Sequence, residues 1–164
     1  MDYLEWQAIN VDFKVRIDKV IFQQLIAYRQ TKSGNEPESL GVLIGLVWQH
    51  AFWVKKITLP TPYDKLSRYD CCRTERSAQY NYHILKYINQ KFDNKLHYLG
   101  EWHTHVENNP YPSYIDYINW KKLPDNKFYG RNIRLFMILG TKDFSNDWLS
   151  IKINDFYSEL KICN

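Results

Sequence analysis

A chain of 164 residues, 45% apolar and rich in aromatics (13 Tyr, 8 Phe, 6 Trp), has the side chains for one well-covered core, so a single domain over 1–164 is expected. Its net charge of +4 is spread among acids without a run of Lys or Arg, which argues against nucleic-acid and membrane partners. The three cysteines form no CxxC pair and are odd in number, so neither a disulfide framework nor a cysteine zinc site is indicated.

The first residues, MDYLEWQAIN, carry acids and lack the basic and apolar regions of a signal peptide. Over 18–29, Val20, Ile21, Leu25 and Ile26 recur at helical spacing behind an acidic residue suited to a helix start. The polar stretch TKSGNEPESL (31–40) reads as a linker. LGVLIGLVW (40–48) predicts a buried strand, paired across Gln49 and His50 with a second strand over 52–59. The same apolar region is too short and too interrupted to span a bilayer. Cys71 and Cys72 have no nearby His or acid pattern that would make a nucleophile, and are read as structural. Reduced thiols and the missing signal peptide predict a cytoplasmic protein. Tyr80, Ile84, Ile88 and Phe92 mark one face of a helix over 74–92, with the charges, Arg73 and Arg76 among them, turned to solvent. A strand over 95–105, a helix over 114–123 stopped by Pro124, and strands over 133–140 and 147–157 complete the series. This order predicts an α/β (α+β) domain, a mixed β-sheet flanked by helices.

The chemistry concentrates in GEWHTHVENNPYPSYID (100–116). His103 and His105, two apart at a strand end, project from one face and aim two imidazoles into one space. After seven intervening residues come Ser113 and, three further, Asp116, on one face of the helix that Pro112 and Ser113 open. Two nitrogens and one carboxylate leave a fourth position open, the pattern of a catalytic zinc site rather than a closed structural one. Zinc in such a site lowers the pKa of water to ~7 and polarises a carbonyl. A hydrolase also needs a proton carrier. Glu38, at the entry to the strand LGVLIG, is the candidate, with Glu36 its local competitor. Ser113 is a candidate donor to a developing oxyanion.

These residues resemble the JAMM motif of the MPN metalloprotease family: Glu38 three residues before Gly41 on an apolar strand, then His103-Thr104-His105, then Ser113-Tyr114-Ile115-Asp116. The resemblance runs from Glu38 to Asp116 and implies the MPN fold. It further implies zinc held by His103, His105 and Asp116, Glu38 as acid/base and Ser113 at the oxyanion. Members cleave isopeptide or peptide bonds, commonly after the C-terminus of ubiquitin or a ubiquitin-like protein. The small size and GEWHTH resemble the bacterial branch, which includes deconjugating peptidases of anti-phage CBASS operons and of ubiquitin-like conjugation operons with E1-like and E2-like partners. Val106 stands where many relatives have Pro, and Leu40-Gly41 where many bacterial ones have Gly-Gly.

Other readings stay open on the residues alone. Ser113 with Asp116 also fits a helix-capping pair with no catalytic content. Two His and a carboxylate also suit non-haem iron. A peptidase trimming sulfur-carrier proteins or amino-acid adducts, or a non-catalytic MPN scaffold, would share the fold. His50, His83 and His97 are expected to stand apart from the metal, although an unbroken strand would set His97 and His103 on one face.

Overall fold

The structure is a computed structural model that describes residues 2–163, so Met1 and Asn164, the ends of the expected domain, lie outside it. Its elements in chain order are β1 (Tyr3–Ala8), β2 (Lys14–Asp18), α1 (Lys19–Ile26), β3 (Leu40–Trp48), β4 (Ala51–Ile57), β5 (Lys65–Leu66), β6 (Cys71–Cys72), α2 (Glu75–Gln90), β7 (His97–Thr104), α3 (Tyr114–Lys121), β8 (Lys127–Phe128), β9 (Arg131–Leu139), β10 (Trp148–Ile153) and β11 (Phe156–Ile162).

The expected α+β class holds, and so does the mixed sheet: β2–β4 and β7–β9 pair in parallel, the other neighbours antiparallel. The sheet, however, is more than an open layer. Its order is β10-β11-β1-β2-β4-β3-β7-β9-β8, and β9 also pairs with β10, so the sheet closes on itself. Two features absent from the sequence reading make closure possible. The N-terminal residues form β1 and β2, and the strand expected over 147–157 is two strands, β10 and β11, which turn at Asn154 in the left-handed region (φ 54°).

Closure creates an inside and an outside. Phe13, Val15, Leu43, Phe52, Leu99, Trp102 and Leu135 fill the interior, and α1 packs Ile21, Phe22 and Leu25 into the same cluster. The apolar face of α1 therefore differs from the one expected: Val20 and Ile26 are exposed. Asp18 precedes the helix but caps nothing; its carboxylate accepts from Trp53 Nε1 (2.6 Å) and pairs with Lys55 (2.7 Å). Outside, α2 covers β3 through Leu85, Ile88 and Phe92, while α3 covers β9 and β10 through Trp120. On α2, too, the buried face is shifted, because Ser77 and Asn81 are buried where Tyr80 is exposed. Trp120 stacks on Phe136 (4.0 Å between ring centroids) and on Trp148 (5.9 Å).

Strand β9 shows the division most plainly. Ile133, Leu135, Met137 and Leu139 face inward, whereas Phe136 and Ile138 pack outside under α3. Strand β7 carries a register irregularity against β3, where Leu43 pairs with Gly100 and Ile44 with Tyr98. Gly100 is required at this point, since a Cβ there would lie 1.7 Å from the Leu135 carbonyl oxygen. The irregularity breaks simple alternation, so His97 packs edge-on to Phe128 (5.5 Å) and does not share the His103 site. No helix among the described residues is long and apolar enough to cross a membrane.

Candidate metal centre

The site is assembled at the ends of β3 and β7 and the start of α3. The Ser39 amide donates to Thr104 Oγ1 (2.9 Å), and the Thr104 amide donates to the Ser39 carbonyl (3.0 Å). This local lock sets Glu38 beside the two histidines. The His105 amide donates to the Leu139 carbonyl (2.9 Å), which ties the motif to the end of β9 as well. Thr104, between the histidines, was not singled out from the sequence; its inward side chain is what joins the strands. Gln30 was also missed. It is fully buried and donates to the carbonyls of Glu36 (3.0 Å) and Arg68 (2.8 Å), pinning the segment that presents Glu38. A buried Gln between the expected helix and the linker leaves no periodic signal to find.

On this frame His103, His105 and Asp116 converge. His103 Nε2 lies 3.1 Å from Asp116 Oδ1, His105 Nε2 lies 3.5 Å from Asp116 Oδ2, and the two Nε2 atoms are 3.0 Å apart. One potential ligand atom from each falls within 4.8 Å of the others. Both histidines are buried. Two facing imidazole nitrogens and a carboxylate at this separation fit a divalent cation well, because the donor set matches two-histidine, one-carboxylate coordination. Burial works against the charge of Asp116, but hydrogen bonds from His103 and His105 outweigh it and hold the carboxyl well below the usual range. Burial likewise disfavours a proton on His105, and Asp116 overcomes it, so its pKa is raised.

Ser113 is the N-cap of α3 within a full capping box. Its hydroxyl donates to Asp116 Oδ2 (2.7 Å), and its oxygen accepts from the Asp116 amide (3.1 Å). The capping reading of this residue is therefore correct in geometry, and it also orients a potential metal ligand.

Glu38 is 7% exposed, and burial pushes its carboxyl up to about 7, against the pull of His105 and a hydrogen bond from the Cys71 thiol. Burial also pushes the Cys71 thiol up, and the Glu38 charge reinforces it. Cys71 thus stands protonated beside Glu38 in the same depression, a neighbour the sequence reading did not foresee. Glu36 turns away, accepting from Thr31 Oγ1 (3.0 Å) at the surface.

Two depressions meet at the histidines. The smaller, about 570 Å³, holds Glu38, His105, Ser113 and Asp116. The larger, about 970 Å³, runs between α2 and α3 over β7, with His103 and Asp116 at one end and Tyr98 and Arg134 further along. Arg73, expected to face solvent, instead forms a half-buried pair with Glu101 across this groove, Nη1 to Oε1 at 2.8 Å.

With that geometry in place, comparison with known proteins identifies the class. Residues 19–150 match the family described as prokaryotic homologs of the JAB domain, and the chain belongs to that family. Among curated relatives, a Vibrio cholerae protein named CD-NTase/cGAS isopeptidase is 33% identical over 144 residues, covering 86% of this chain and 83% of the relative. An Escherichia coli protein of the same name is 30% identical over 152 residues, covering 93% and 90%. A solution structure of a Desulfitobacterium hafniense protein shares the fold at a TM-score of 0.58 and 16% identity, over 90% of each chain.

Proposed function

We propose that this protein is a cytoplasmic zinc-dependent isopeptidase of an anti-phage conjugation system, hydrolysing the bond that follows the C-terminal residue of a conjugated protein. The observation that carries the reading is the convergence of two buried imidazoles and a carboxylate beside a buried glutamate. Asn119, one turn beyond Asp116, also borders both depressions. The JAMM resemblance favours a ubiquitin-like protein as the one released, with E1-like and E2-like proteins as its attachment machinery. The names of the relatives favour a CD-NTase/cGAS-type protein in that position.

His103, His105 and Asp116 would hold zinc, which supplies activation of water and of the scissile carbonyl when bound. Glu38 accepts the proton of the attacking water and returns it to the leaving amine. A carboxyl poised near neutrality does both, and burial supplies that poise. The Ser113 hydroxyl keeps Asp116 oriented, and serving the developing oxyanion would mean surrendering its bond to that carboxylate. The departing protein's tail would lie in the groove between α2 and α3. Among the described residues strand β6 pairs only with β5, so its other edge is open to an extended tail through main-chain hydrogen bonds.

The test is cleavage of two fusions, one to a ubiquitin-like protein and one to a CD-NTase. Glu38→Ala and His103→Ala are expected to lose at least about a hundredfold in rate while remaining folded. Only His103→Ala should also lose zinc by metal analysis. Full activity in Glu38→Ala would remove that residue from proton transfer, and iron-supported turnover with inert zinc protein would replace the metal.

A further inference from the structure

The groove floor contains a buried guanidinium, that of Arg134, with no carboxylate at ion-pair distance among the described residues. Arg134 is 2% exposed and lies on the outer face of β9, beside Phe136 and Ile138. Its guanidinium sits over the Tyr98 ring at 5.6 Å, and Nη2 donates to the Pro124 carbonyl. Its Nε has no hydrogen-bond partner. The nearby carboxylate, Glu101, is already engaged by Arg73 Nη1 (2.8 Å) and by the Tyr98 hydroxyl (2.6 Å). Among the described residues no carboxylate forms an ion pair with Arg134. Asp116 is held by the histidines and Asp125 pairs with Lys127, so the carboxylates that border the groove leave the Arg134 guanidinium without an ion-pair partner. Burying an uncompensated charge is costly, and a site that does so is suited to a ligand that brings the missing anion.

A second orphan lies in the opposite wall. Asn81 is 6% exposed, and its Nδ2 donates to the Ser77 carbonyl (2.9 Å), which fixes the amide orientation. Its Oδ1 is left without a donor. An acceptor on one wall and a cation on the floor, with Val42 and Leu85 between them, suit an extended peptide better than a phosphate. The peptide supplies an N–H, apolar side chains and a carboxylate.

We propose that Arg134 is a specificity-determining residue that reads an acidic side chain in the tail of the released protein. The position follows from strand register. His103 is level with Ile138 on the parallel strand β9. Arg134 lies four residues back from it, about 13 Å at strand rise, so the acidic residue falls about four positions before the scissile bond. The inference rests on the reading of the groove as the tail site.

The experiment is fluorescence anisotropy of the full chain with fluorescein-labelled octapeptides of Ala, Gly and Leu, amidated at the C-terminus. Each carries a single Glu, or a matched Gln, at one of its last six positions. Glu near the fourth position from the end should bind about ten- to hundredfold more tightly than Gln at low salt, with smaller differences elsewhere. Arg134→Met should abolish the preference without weakening the Gln peptides, and Arg134→Lys should retain part of it. Equal binding of Glu and Gln peptides by the wild type would overturn the proposal. So would a preference that survives in Arg134→Met. Should Arg134→Met fail to fold, the wild-type scan and Arg134→Lys decide. An acid preference in a protein that cleaves neither fusion would sink the isopeptidase reading and leave Arg134 standing; cleavage with no acid preference would do the reverse.

Discussion

The inside and the outside of the closed sheet are built from the same strands and follow different rules. Inside, Phe13, Val15, Phe52, Leu99 and Leu135 are fully buried and bring no charge with them. Outside, under α2 and α3, the buried residues include His103, His105, Glu38, Arg134 and Asn81. Apolar area removed from water stabilises the first region at roughly 25 cal/mol per Å². The second spends part of that stability on polar groups held dry and incompletely paired. Neighbouring positions on β9, Leu135 and Arg134, fall on opposite sides of the division. Stability and chemistry are thus separated by one residue of pleat, and changes on each side should have different signatures.

The largest effect is expected inside. Trp102→Ala removes a fully buried indole and its Nε1 bond to the Thr58 carbonyl (3.0 Å), and should cost about 3–5 kcal/mol in urea unfolding. A loss below about 1 kcal/mol would show that the interior is not the stabilising half. Next comes the buried pair joining the end of α1 to the β9–β10 connection, where Arg29 Nη1 donates to Asp147 Oδ1 at 2.7 Å. Arg29→Met strands a carboxylate whose side chain is 0% exposed and should cost about 3 kcal/mol, with much of it recovered in the double variant with Asp147→Leu.

The third effect is on rate rather than stability. Glu38, with its carboxyl raised to about 7, accepts a proton only when ionised, so kcat/KM should fall as pH drops through that value, about tenfold per unit below the midpoint. A nearby dication favours the carboxylate, so the midpoint in the zinc protein lies no higher than about 7. The residual rate of Glu38→Gln should lack this acid limb; a limb that persists there belongs to another group. The smallest change is Ser113→Ala, which removes the α3 cap and should cost about 1 kcal/mol, seen as a modest drop in melting temperature. A loss of zinc affinity in the same variant would show that the hydroxyl's bond to Asp116 matters to the metal site as well as to the helix.

Much of the site was legible because its chemistry is local. The pleat puts His103 and His105 on one face whatever surrounds them, and a capping serine three residues before Asp116 sets that carboxylate in the first turn of a helix. Glu38 was legible through its spacing to Gly41, where a Cβ would lie 2.1 Å from the Thr58 carbonyl oxygen. The partners that hold these groups were not legible. Cys71 meets Glu38 from a separate short strand, Gln30 reaches two distant carbonyls, and Arg73 crosses the groove to Glu101. Each contact joins residues with no periodic or spacing relation.

The amino-acid order by itself determined the element types of the middle of the chain, the pairing of β3 with β4 and the identity of the convergent side chains. These follow from backbone sterics and residue spacing acting over a few positions. Closure of the sheet, the placement of β1, β2 and β11, the shifted apolar faces of α1 and α2, and the unpaired charge of Arg134 were decided only by tertiary structure. Inside and outside exist only once β9 has found both β7 and β10, and a residue's burial then depends on which side of that ring it faces.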